Sequence, residues 1–376
     1  MRLTLTNFRS YARCEIRASG RPVVLAGPNG AGKTNVLDAI SLLSPGRGLR
    51  GARLSEHTRR APSAQAGGLW GVAATIACGS EGYDVGTGLV IGPNGSERRQ
   101  VHLNGAPAAN AADIAEIVQM AWLTPAMDRL FIEGASGRRR FLDRLVFGFL
   151  PAHARAVTRY ETAMRERARL LKFGPRDPAW LDALEQEMTE AGIPLSIGRA
   201  QTVARLNRAL AERGAAGAFP CAELELASEA DALVAEHGEG AASHFRERFA
   251  RLRMRDAESG RTNFGPHLSD LAVRHTRKRA AAAECSTGEQ KAMLVSIVLA
   301  HAWENAHMRD GRAPILLLDE IVAHLDAYRR AALFDEVLSL GAQAWMTGTD
   351  IEVFSPLKGG ADLFAVADSQ TQLVSE

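Results

Sequence analysis

The sequence is poor in cysteine and has no long apolar run. Its four cysteines lie far apart and form no CxxC pair, which argues against a zinc site and against a disulfide framework. No stretch approaches the roughly 20 apolar residues that are needed to span a bilayer, and residues 1–16 lack the apolar core of a signal peptide. We therefore expect a cytoplasmic protein with no membrane partner.

A strong excess of either charge is also missing. The formal net charge is +2 over 376 residues, so the overall composition does not indicate a nucleic-acid partner. The arginines are nevertheless concentrated in short clusters, each of which has an ordinary explanation as a solvated surface. The hydrophobic fraction of 46% is typical of a globular protein, and the length allows about two domains.

The pattern of apolar residues changes twice along the chain. Residues 2–26 and 68–104 have the short alternating and apolar runs of strands, with a hairpin signal in GPNGS at 92–96. From about 110 to 256, stretches rich in Ala, Arg, Glu and Leu predict amphipathic helices. Strands and helices alternate again after about residue 260.

This organisation predicts an α/β fold with a head domain that is split in sequence. The predicted ranges are 1–110 for the first part of the head, 111–256 for an all-helical arm insertion, and 257–376 for the second part of the head.

The stretch GPNGAGKT, residues 27–34, follows an apolar strand and opens a helix. In this context it matches the phosphate-binding pattern GxxxxGK[ST], in which backbone N–H groups and a helix N-terminus surround the phosphates. Lys33 is predicted to reach the β- and γ-phosphates of ATP, and the Thr34 hydroxyl to bind Mg²⁺. The predicted ATP-binding residues are Gly27, Pro28, Asn29, Gly30, Ala31, Gly32, Lys33, Thr34 and Asn35.

The stretch ILLLDE, residues 315–320, is an apolar strand that ends in two acids. Asp319 can hold Mg²⁺ through water, and Glu320 can polarise the attacking water. A strand-end acid that caps a following helix is the alternative explanation. With the phosphate loop upstream, the adjacent acids favour an ATPase of the ABC type, in which the predicted catalytic residues are Glu320, Lys33 and Ser286.

Ser286 lies in CSTGEQKAML, about 30 residues before the acid pair. Ser286 and Glu289 fit a capping box, so a well-capped core helix explains the stretch without any function. In ABC heads the same helix end contacts the γ-phosphate that the other protomer binds. We therefore predict that Ser286, Gly288 and Gln290 face a partner's nucleotide and that Asp326, in AHLD, lies at the dimer seam.

Longer stretches resemble the RecF family, which consists of SMC-like ABC-type ATPases, and this resemblance extends over nearly the whole chain. The stretches that carry it are LTNFRSY near the start, GPNGAGKTNVLDAISLLSPGRGLR at 27–50, GRRRFLD at 137–143, FGPHLSDL at 264–271, STGEQK at 286–291 and LLLDEIVAHLD at 316–326.

The resemblance implies an ABC-type ATPase head with a mixed sheet and an inserted helical arm. It also implies slow, DNA-stimulated ATP hydrolysis, an ATP-dependent homodimer on double-stranded or gapped DNA, and RecR and RecO as partners in recombinase loading. The expected setting is the nucleoid, in replication-gap repair and the SOS response. The candidate DNA contacts, chosen by their position in shared stretches, are Arg47, Arg50, Arg138, Arg139 and Arg140. Pairing with acids explains Arg138–Arg140 equally well.

The chain departs from the family pattern at several positions. Leu268 and Ser269 stand in the fourth and fifth places of a motif that usually begins GPHRDD, and Ala126 stands where a glutamate is usual. No clear Q-loop glutamine is present, although Gln119 is nearby. The histidine switch of transporters is also missing, and the candidates for its place are Thr347, Thr349 and Asp350.

Two other functions share parts of this pattern. A transporter-type ATPase subunit would have both phosphate motifs but no long helical insertion, and its signature helix would come sooner. A nucleotide-binding scaffold could retain binding without significant hydrolysis. Stimulation of ATP turnover by duplex DNA separates the predicted function from both alternatives.

Overall fold

The computed structural model describes residues 1–60, 68–78, 81–108, 112–115, 117–174, 177–214 and 217–375. The chain divides into two compact units. Unit 1 comprises Met1–Asp128, Ala216–Phe219 and Leu294–Glu376, and unit 2 comprises Arg129–Ala215 and Pro220–Met293. No helix in these described ranges is both long enough and apolar enough to cross a membrane.

The strands are β1 (Arg2–Phe8), β2 (Tyr11–Arg17), β3 (Val23–Ala26), β4 (Gly71–Cys78), β5 (Glu81–Ile91), β6 (Glu97–Leu103), β7 (Ala106–Pro107), β8 (Met120–Leu123), β9 (Ala222–Ala227), β10 (Asp270–His275), β11 (Ala280–Ala281), β12 (Ile315–Leu318), β13 (Ala344–Gly348), β14 (Asp362–Ala367) and β15 (Gln370–Ser375). The helices are α1 (Lys33–Ser41), α2 (Ala112–Ala115), α3 (Ala135–Phe149), α4 (His153–Phe173), α5 (Pro178–Gly214), α6 (Glu229–His237), α7 (Ala242–Ser259), α8 (Thr287–Met308) and α9 (Ala327–Ser339).

An antiparallel sheet in unit 1 has the order β2-β1-β4-β5-β6-β7. Its strands have the alternation of a sheet with one buried face; in β1, for example, Leu3 and Leu5 are buried and Arg2 is exposed. The predicted hairpin between β5 and β6 is confirmed, because the Gly92 amide donates to the Ser96 carbonyl at 2.9 Å.

The second sheet of unit 1 has the order β15-β14-β3-β13-β12-β8, and all its neighbours are parallel except β14 and β15. The strands β3, β12 and β8 are buried at every position. A parallel strand that is covered on both faces is apolar throughout, which explains the runs VVLA and ILLL. Parallel pairing also brings the carboxyl ends of β3, β12 and β13 to one edge of the sheet.

Helix α1 follows the phosphate-binding loop and packs its apolar face into the core through Val36, Leu37 and Ile40. Arg99, on β6, donates to the carbonyls of Leu42, Ser44 and Gly46 in the segment that follows the helix. Burial lowers the pKa of Arg99 to about 10. A cation at the C-terminal end of a helix interacts favourably with the helix dipole. Through its three bonds to carbonyls, Arg99 also holds the segment that leads to Arg47 and Arg50.

Unit 2 is built mainly from α4, α5 and α7, around an apolar core. Phe264 lies edge-on to Phe245 and Phe249, with ring centroids 5.0 and 5.2 Å away. Arg167 is fully buried beside this core and donates to Glu185 at 2.8 Å and to Asp256 at 2.6 Å. A small antiparallel sheet in the order β11-β10-β9 completes the unit.

The description of residues 111–256 as all-helical is corrected by two strands, β8 and β9. Strand β8 has only four residues, all apolar, and so short a run shows no period that distinguishes strand from helix. Strand β9, AELELA, alternates clearly and pairs with β10. The two units also group the residues differently from the predicted ranges, because unit 2 extends to Met293.

Candidate nucleotide site

The phosphate-binding loop begins with a glycine that has no room for a side chain. A Cβ on Gly27 would lie 2.0 Å from the carbonyl oxygen of Val366, on the neighbouring strand β14. At the other end of the loop, Gly32 has φ 110°, and a Cβ there would lie 2.7 Å from the Tyr11 hydroxyl. Both positions therefore require glycine, one for close approach and one for its backbone conformation.

Lys33 points back into this loop. Its ammonium donates to the carbonyls of Gly27 at 2.6 Å and Pro28 at 2.9 Å. Burial lowers the pKa of Lys33, and the carboxylates of Glu320 and Asp319 oppose this effect. The cation is thus held inside the loop, close to backbone amides that can donate to an anion.

Asp319 joins the phosphate-binding loop to two strands of the sheet. Its Oδ1 accepts hydrogen bonds from the hydroxyls of Thr34, at 2.9 Å, and Thr347, at 2.8 Å, and its amide donates to the Leu123 carbonyl of β8 at 2.9 Å. Burial raises the pKa of Asp319, while the hydroxyls of Thr347 and Thr34 lower it. The structure therefore brings together the two predicted Mg²⁺ ligands, Thr34 and Asp319.

This pair of oxygens fits Mg²⁺, which is usually held by one or two carboxylates together with substrate phosphates and water. In the described part of the chain, no group of three or more His, Cys, Asp or Glu side chains could hold a metal ion. A site with a single carboxylate depends on phosphate oxygens for the remaining ligands, which fits a metal that enters with a nucleotide.

Glu320 has an unusual backbone for a non-glycine residue. Its φ is 53°, in the left-handed region, and its amide donates to the Thr347 hydroxyl at 2.9 Å. Left-handed conformations at such residues cost free energy and are concentrated at functional sites. Glu320 is half-buried and lies near Lys33. Its carboxylate opposes the lowering of the Lys33 pKa by burial.

Arg50 also lies close to this edge of the sheet. It is exposed, and its positive charge is one of the influences that lower the pKa of Asp319, against the larger effect of burial. Its amide lies 3.4 Å from Oδ1 of Asp38, a buried residue of α1. The structure thus places the charge of Arg50 near the acid pair, and its role as a DNA contact stays a prediction. Arg47, three residues earlier, is also exposed.

The predicted capping box is present at the start of α8 in unit 2. The amide and the hydroxyl of Ser286 donate to Oε2 of Glu289 at 3.1 and 3.0 Å, and the Glu289 amide lies 3.4 Å from the Ser286 hydroxyl. The Lys278 ammonium is 2.6 Å from Oε1 of the same carboxylate. These contacts lower the pKa of Glu289 to about 2, and the contact with Lys278 has the largest effect.

The three residues predicted to face a partner's nucleotide are placed differently from one another. Ser286 and Gly288 are exposed. Gln290 is only 2% exposed, and its amide donates to the Cys285 carbonyl at 2.9 Å. Its side chain therefore holds the turn before the helix, and its contact with a partner's nucleotide stays a prediction.

Comparisons with known proteins match nearly the whole chain. Residues 1–355 match the sequence family described as RecF/RecN/SMC N terminal domain. The chain is 46% identical over 370 residues to the DNA replication and repair protein RecF of Rhizobium etli (strain CIAT 652), a match that covers 98% of this chain and 97% of that protein. The chain belongs to the RecF family. The RecF protein of Caulobacter vibrioides is also 46% identical, over 375 residues, covering 98% of this chain and 96% of that one.

Solved structures show the RecF fold as well. A structure described as the recombination mediator protein RecF-ATPrS in the RecFOR pathway has a TM-score of 0.83 and 21% identity, and it covers 100% of this chain and 97% of its own. The Smc head domain of Pyrococcus furiosus has a TM-score of 0.54 and 18% identity, covering 100% of this chain and 95% of its own. The α/β fold of an ABC-type and SMC-like head is thereby confirmed.

Two residues of a RecF stretch near the N-terminus contact the loop, although sequence reasoning gave them no role. Asn35 donates to the Ser10 hydroxyl at 2.9 Å, and the buried Tyr11 places its hydroxyl against Gly32. The only available signal was that LTNFRSY belongs to the shared stretches. Its contact with the loop depends on pairing of distant strands, which local patterns do not specify.

The structure shows which candidates for the Q-loop and the histidine switch lie near Asp319 and which do not. Gln119 precedes β8, at the opposite end of the parallel strands from Asp319, and its buried side chain donates to the Ala115 carbonyl at 2.5 Å. Gln119 therefore does not reach the site. Among the other candidates, Thr347 contacts the acid pair, whereas Asp350 is exposed and caps a short helical turn by accepting from the Glu352 amide.

The arginines of GRRRFLD divide into two half-buried residues with partners in the fold and one exposed residue. Arg138 forms a bidentate pair with Asp270 at 2.7 and 2.8 Å, and Arg139 donates to the Ser269 carbonyl at 2.6 Å. Arg140 is exposed. Arg138 and Arg139 both bind acceptors of unit 2, as the alternative explanation of this stretch expects, and their contact with DNA stays a prediction. Asp326 caps α9 by accepting from the Arg329 amide at 2.8 Å, and its place at a dimer seam stays a prediction.

Proposed function

We propose that this RecF-family chain binds ATP with Mg²⁺ at the loop of residues 27–34 and hydrolyses it slowly in DNA repair and replication. The observation that carries the proposal is the convergence of Thr34 and Asp319, residues that are far apart in sequence and are joined by a 2.9 Å hydrogen bond at the end of the loop. Two hard oxygen atoms beside a helix N-terminus and a buried lysine form a site for a metal-bound triphosphate.

Each residue of the site has a role in the proposal. The loop amides and Lys33 bind the phosphates, and Thr34 and Asp319 would hold Mg²⁺, which neutralises charge on the phosphates when it is bound. Glu320 orients the attacking water and accepts its proton. Because hydrogen-bond donors and charges are already in place before substrate arrives, this arrangement favours the charge distribution of phosphoryl transfer.

We further propose that ATP joins two copies of the chain. The exposed N-terminus of α8, with Ser286 and Gly288, would face the γ-phosphate bound by the second copy, and Asp326 would lie at the seam. A symmetric pair of this kind has two equal nucleotide sites, so contacts made at one site are repeated at the other. The ATP named for the related solved structures supports the choice of nucleotide.

The proposed biological role is recombinational repair at double-stranded or gapped DNA, with help to recombinase loading and with RecR and RecO as partners. The names of the RecF relatives and the RecFOR pathway named for the related structures support this role. Contacts to DNA would be mostly to phosphates, made by exposed cations such as Arg47 and Arg140.

The test is ATP turnover by the purified protein with and without duplex DNA. Lys33→Ala should weaken ATP binding by about 3 kcal/mol, roughly a hundredfold, because charge-assisted hydrogen bonds to phosphate are lost. Lys358→Ala removes an exposed lysine and provides the matched control. Tight ATP binding by Lys33→Ala would refute the assignment of the loop, and turnover that is indifferent to DNA would refute the proposed role.

A further inference from the structure

Thr347 is fully buried at the carboxyl end of β13 and contacts both acids of the site. Its position follows from strand register: β12 and β13 are parallel neighbours with Leu318 opposite Met346, so the next residues along, Asp319 and Thr347, also lie opposite each other. The side chain therefore reaches the acid pair from the sheet and not from a surface loop.

The hydroxyl of Thr347 uses its donor and an acceptor lone pair within the site. It donates to Oδ1 of Asp319 at 2.8 Å and accepts from the Glu320 amide at 2.9 Å. A hydroxyl has one proton to donate, so the bond to Asp319 fixes its direction. The Thr347 oxygen then accepts from the Glu320 amide. This bond is made with Glu320 in its left-handed conformation, at φ 53°.

We propose that Thr347 is a positioning residue for nucleotide hydrolysis. One hydrogen bond orients the Asp319 carboxylate, so that Oδ1 also meets the Thr34 hydroxyl, and the other keeps the Glu320 backbone in the conformation that sets the direction of its side chain. The inference rests on the proposed function.

The identity of the residue matters because of the hydroxyl and not because of its bulk. Valine has nearly the same shape and the same restricted χ1, but it can neither donate to Asp319 nor accept from Glu320. Serine keeps the hydroxyl and loses only a methyl group. Partners that orient metal ligands typically contribute about 10- to 100-fold to metal affinity or activity, which sets the size of the expected effect.

The experiment compares Thr347→Val with Thr347→Ser in the full chain. For Thr347→Val we expect kcat to fall, and the Mg²⁺ concentration for half-maximal turnover to rise, by about 10- to 100-fold, with little change in KM for ATP. A second readout does not depend on turnover: the rise in melting temperature caused by ATP with Mg²⁺, minus the rise caused by ATP with EDTA. Thr347→Val should lose this Mg²⁺-dependent difference and keep the rise in EDTA, and Thr347→Ser should retain both.

A double-mutant cycle tests whether Thr347 acts through the acid. In an Asp319→Asn background, Thr347→Val should cause little further loss of Mg²⁺ dependence, because coupled residues are not additive. A wild-type Mg²⁺ dependence in Thr347→Val, or equal defects in the valine and serine variants, would overturn the inference. The proposed function fails differently: wild-type protein would then show no rise in melting temperature with ATP, with or without Mg²⁺.

Discussion

Asp319 is a buried carboxylate, and the side chains that donate to it are the neutral hydroxyls of Thr34 and Thr347. Burial raises its pKa in the folded protein above the ordinary value of an aspartate. The folded state therefore binds this proton more tightly than the unfolded state, so the contribution of Asp319 to stability falls as the pH rises from about 3.9 through the folded pKa. At neutral pH its ionised form is a net cost to the protein without nucleotide.

Asp319→Asn should consequently raise the melting temperature of the nucleotide-free protein at pH 7.5, because the buried charge is removed while the acceptor oxygen remains. The difference from wild type should shrink as the pH is lowered toward the folded pKa. The same variant should lose the Mg²⁺-dependent part of ATP binding. Calorimetric melting over a pH series is the measurement, and a variant that melts below wild type at every pH would contradict the sign of this argument.

The proposed function gives Glu320 a different task from Asp319, so its substitution should separate binding from hydrolysis. Glu320→Gln keeps the shape but cannot accept a proton, so turnover should fall by about 10²- to 10⁴-fold with ATP affinity nearly unchanged. Light scattering with ATP and Mg²⁺ should then show a persistent dimer. A Glu320→Gln protein that stays monomeric at saturating ATP would indicate that hydrolysis does not limit the lifetime of the dimer.

At the scale of elements, the start of α8 is an exposed helix N-terminus whose hydroxyl is engaged by Glu289 within the same chain. The ionised Glu289 carboxylate, paired with Lys278, lies 3.0 Å from the Ser286 hydroxyl. An aspartate at position 286 would therefore meet a second carboxylate before any partner arrives. Alanine is the cleaner substitution for testing the contact in the dimer.

Ser286→Ala should bind ATP like wild type as a monomer and should melt slightly lower, because loss of an N-cap costs about 1 kcal/mol. Its ATP-dependent dimer should be weaker by at least about a hundredfold, because a hydrogen bond to phosphate worth about 1.5–3 kcal/mol is lost at each of two sites. Glu289→Gln keeps the serine hydroxyl and serves as the control, with undiminished dimerisation. Equal dimerisation by Ser286→Ala and wild type would leave α8 as a capped core helix.

The elements could be predicted where short-range patterns decide them. The loop at 27–34 with α1, the β5–β6 hairpin, and the apolar strand β12 are all specified by local spacing, and the structure has them. The position of Gln119 could not be predicted from local spacing. Gln119 lies next to a short apolar run, and only the parallel pairing of β8 with β12 determines which end of β8 lies near Asp319. The contact between Thr347 and the acids likewise depends on register across two strands.

At the scale of the whole molecule, a net charge of +2 requires that any attraction to DNA come from local surfaces. DNA affinity should fall steeply between low and physiological salt, because each phosphate contact releases counterions. Replacing Arg140 or Arg47 by alanine should reduce the magnitude of the slope of log K against log salt by about 1. Fluorescence anisotropy with a labelled duplex measures both, and a flat salt response would indicate a mode of binding that does not use phosphates.

Arg138→Ala is the matched comparison, because it removes an equal charge from the same stretch. Arg138 holds the pKa of Asp270 below its usual value, so this pair stabilises the fold above the unfolded pKa of the acid and loses that contribution as the pH falls through the folded value. At neutral pH the variant should be less stable by about 1–3 kcal/mol, since hydrogen bonds to a charged group are lost. If Arg138→Ala changed the slope of log K against log salt as much as Arg140→Ala does, this would indicate that Arg138 contacts DNA.

The central strand of the nucleotide-binding sheet has a consequence for how the protein is made. Strand β3, which precedes the phosphate-binding loop, pairs on one side with β13 and on the other with β14, so both neighbours emerge from the ribosome roughly 300 residues after it. At about 5–20 residues per second, that delay is roughly 15–60 s. During this interval the nascent loop has no sheet to hold it and no Val366 carbonyl against Gly27. We therefore expect that chains released before residue 344 carry the whole GPNGAGKT stretch and yet do not bind nucleotide, which ATP binding by truncated chains would test.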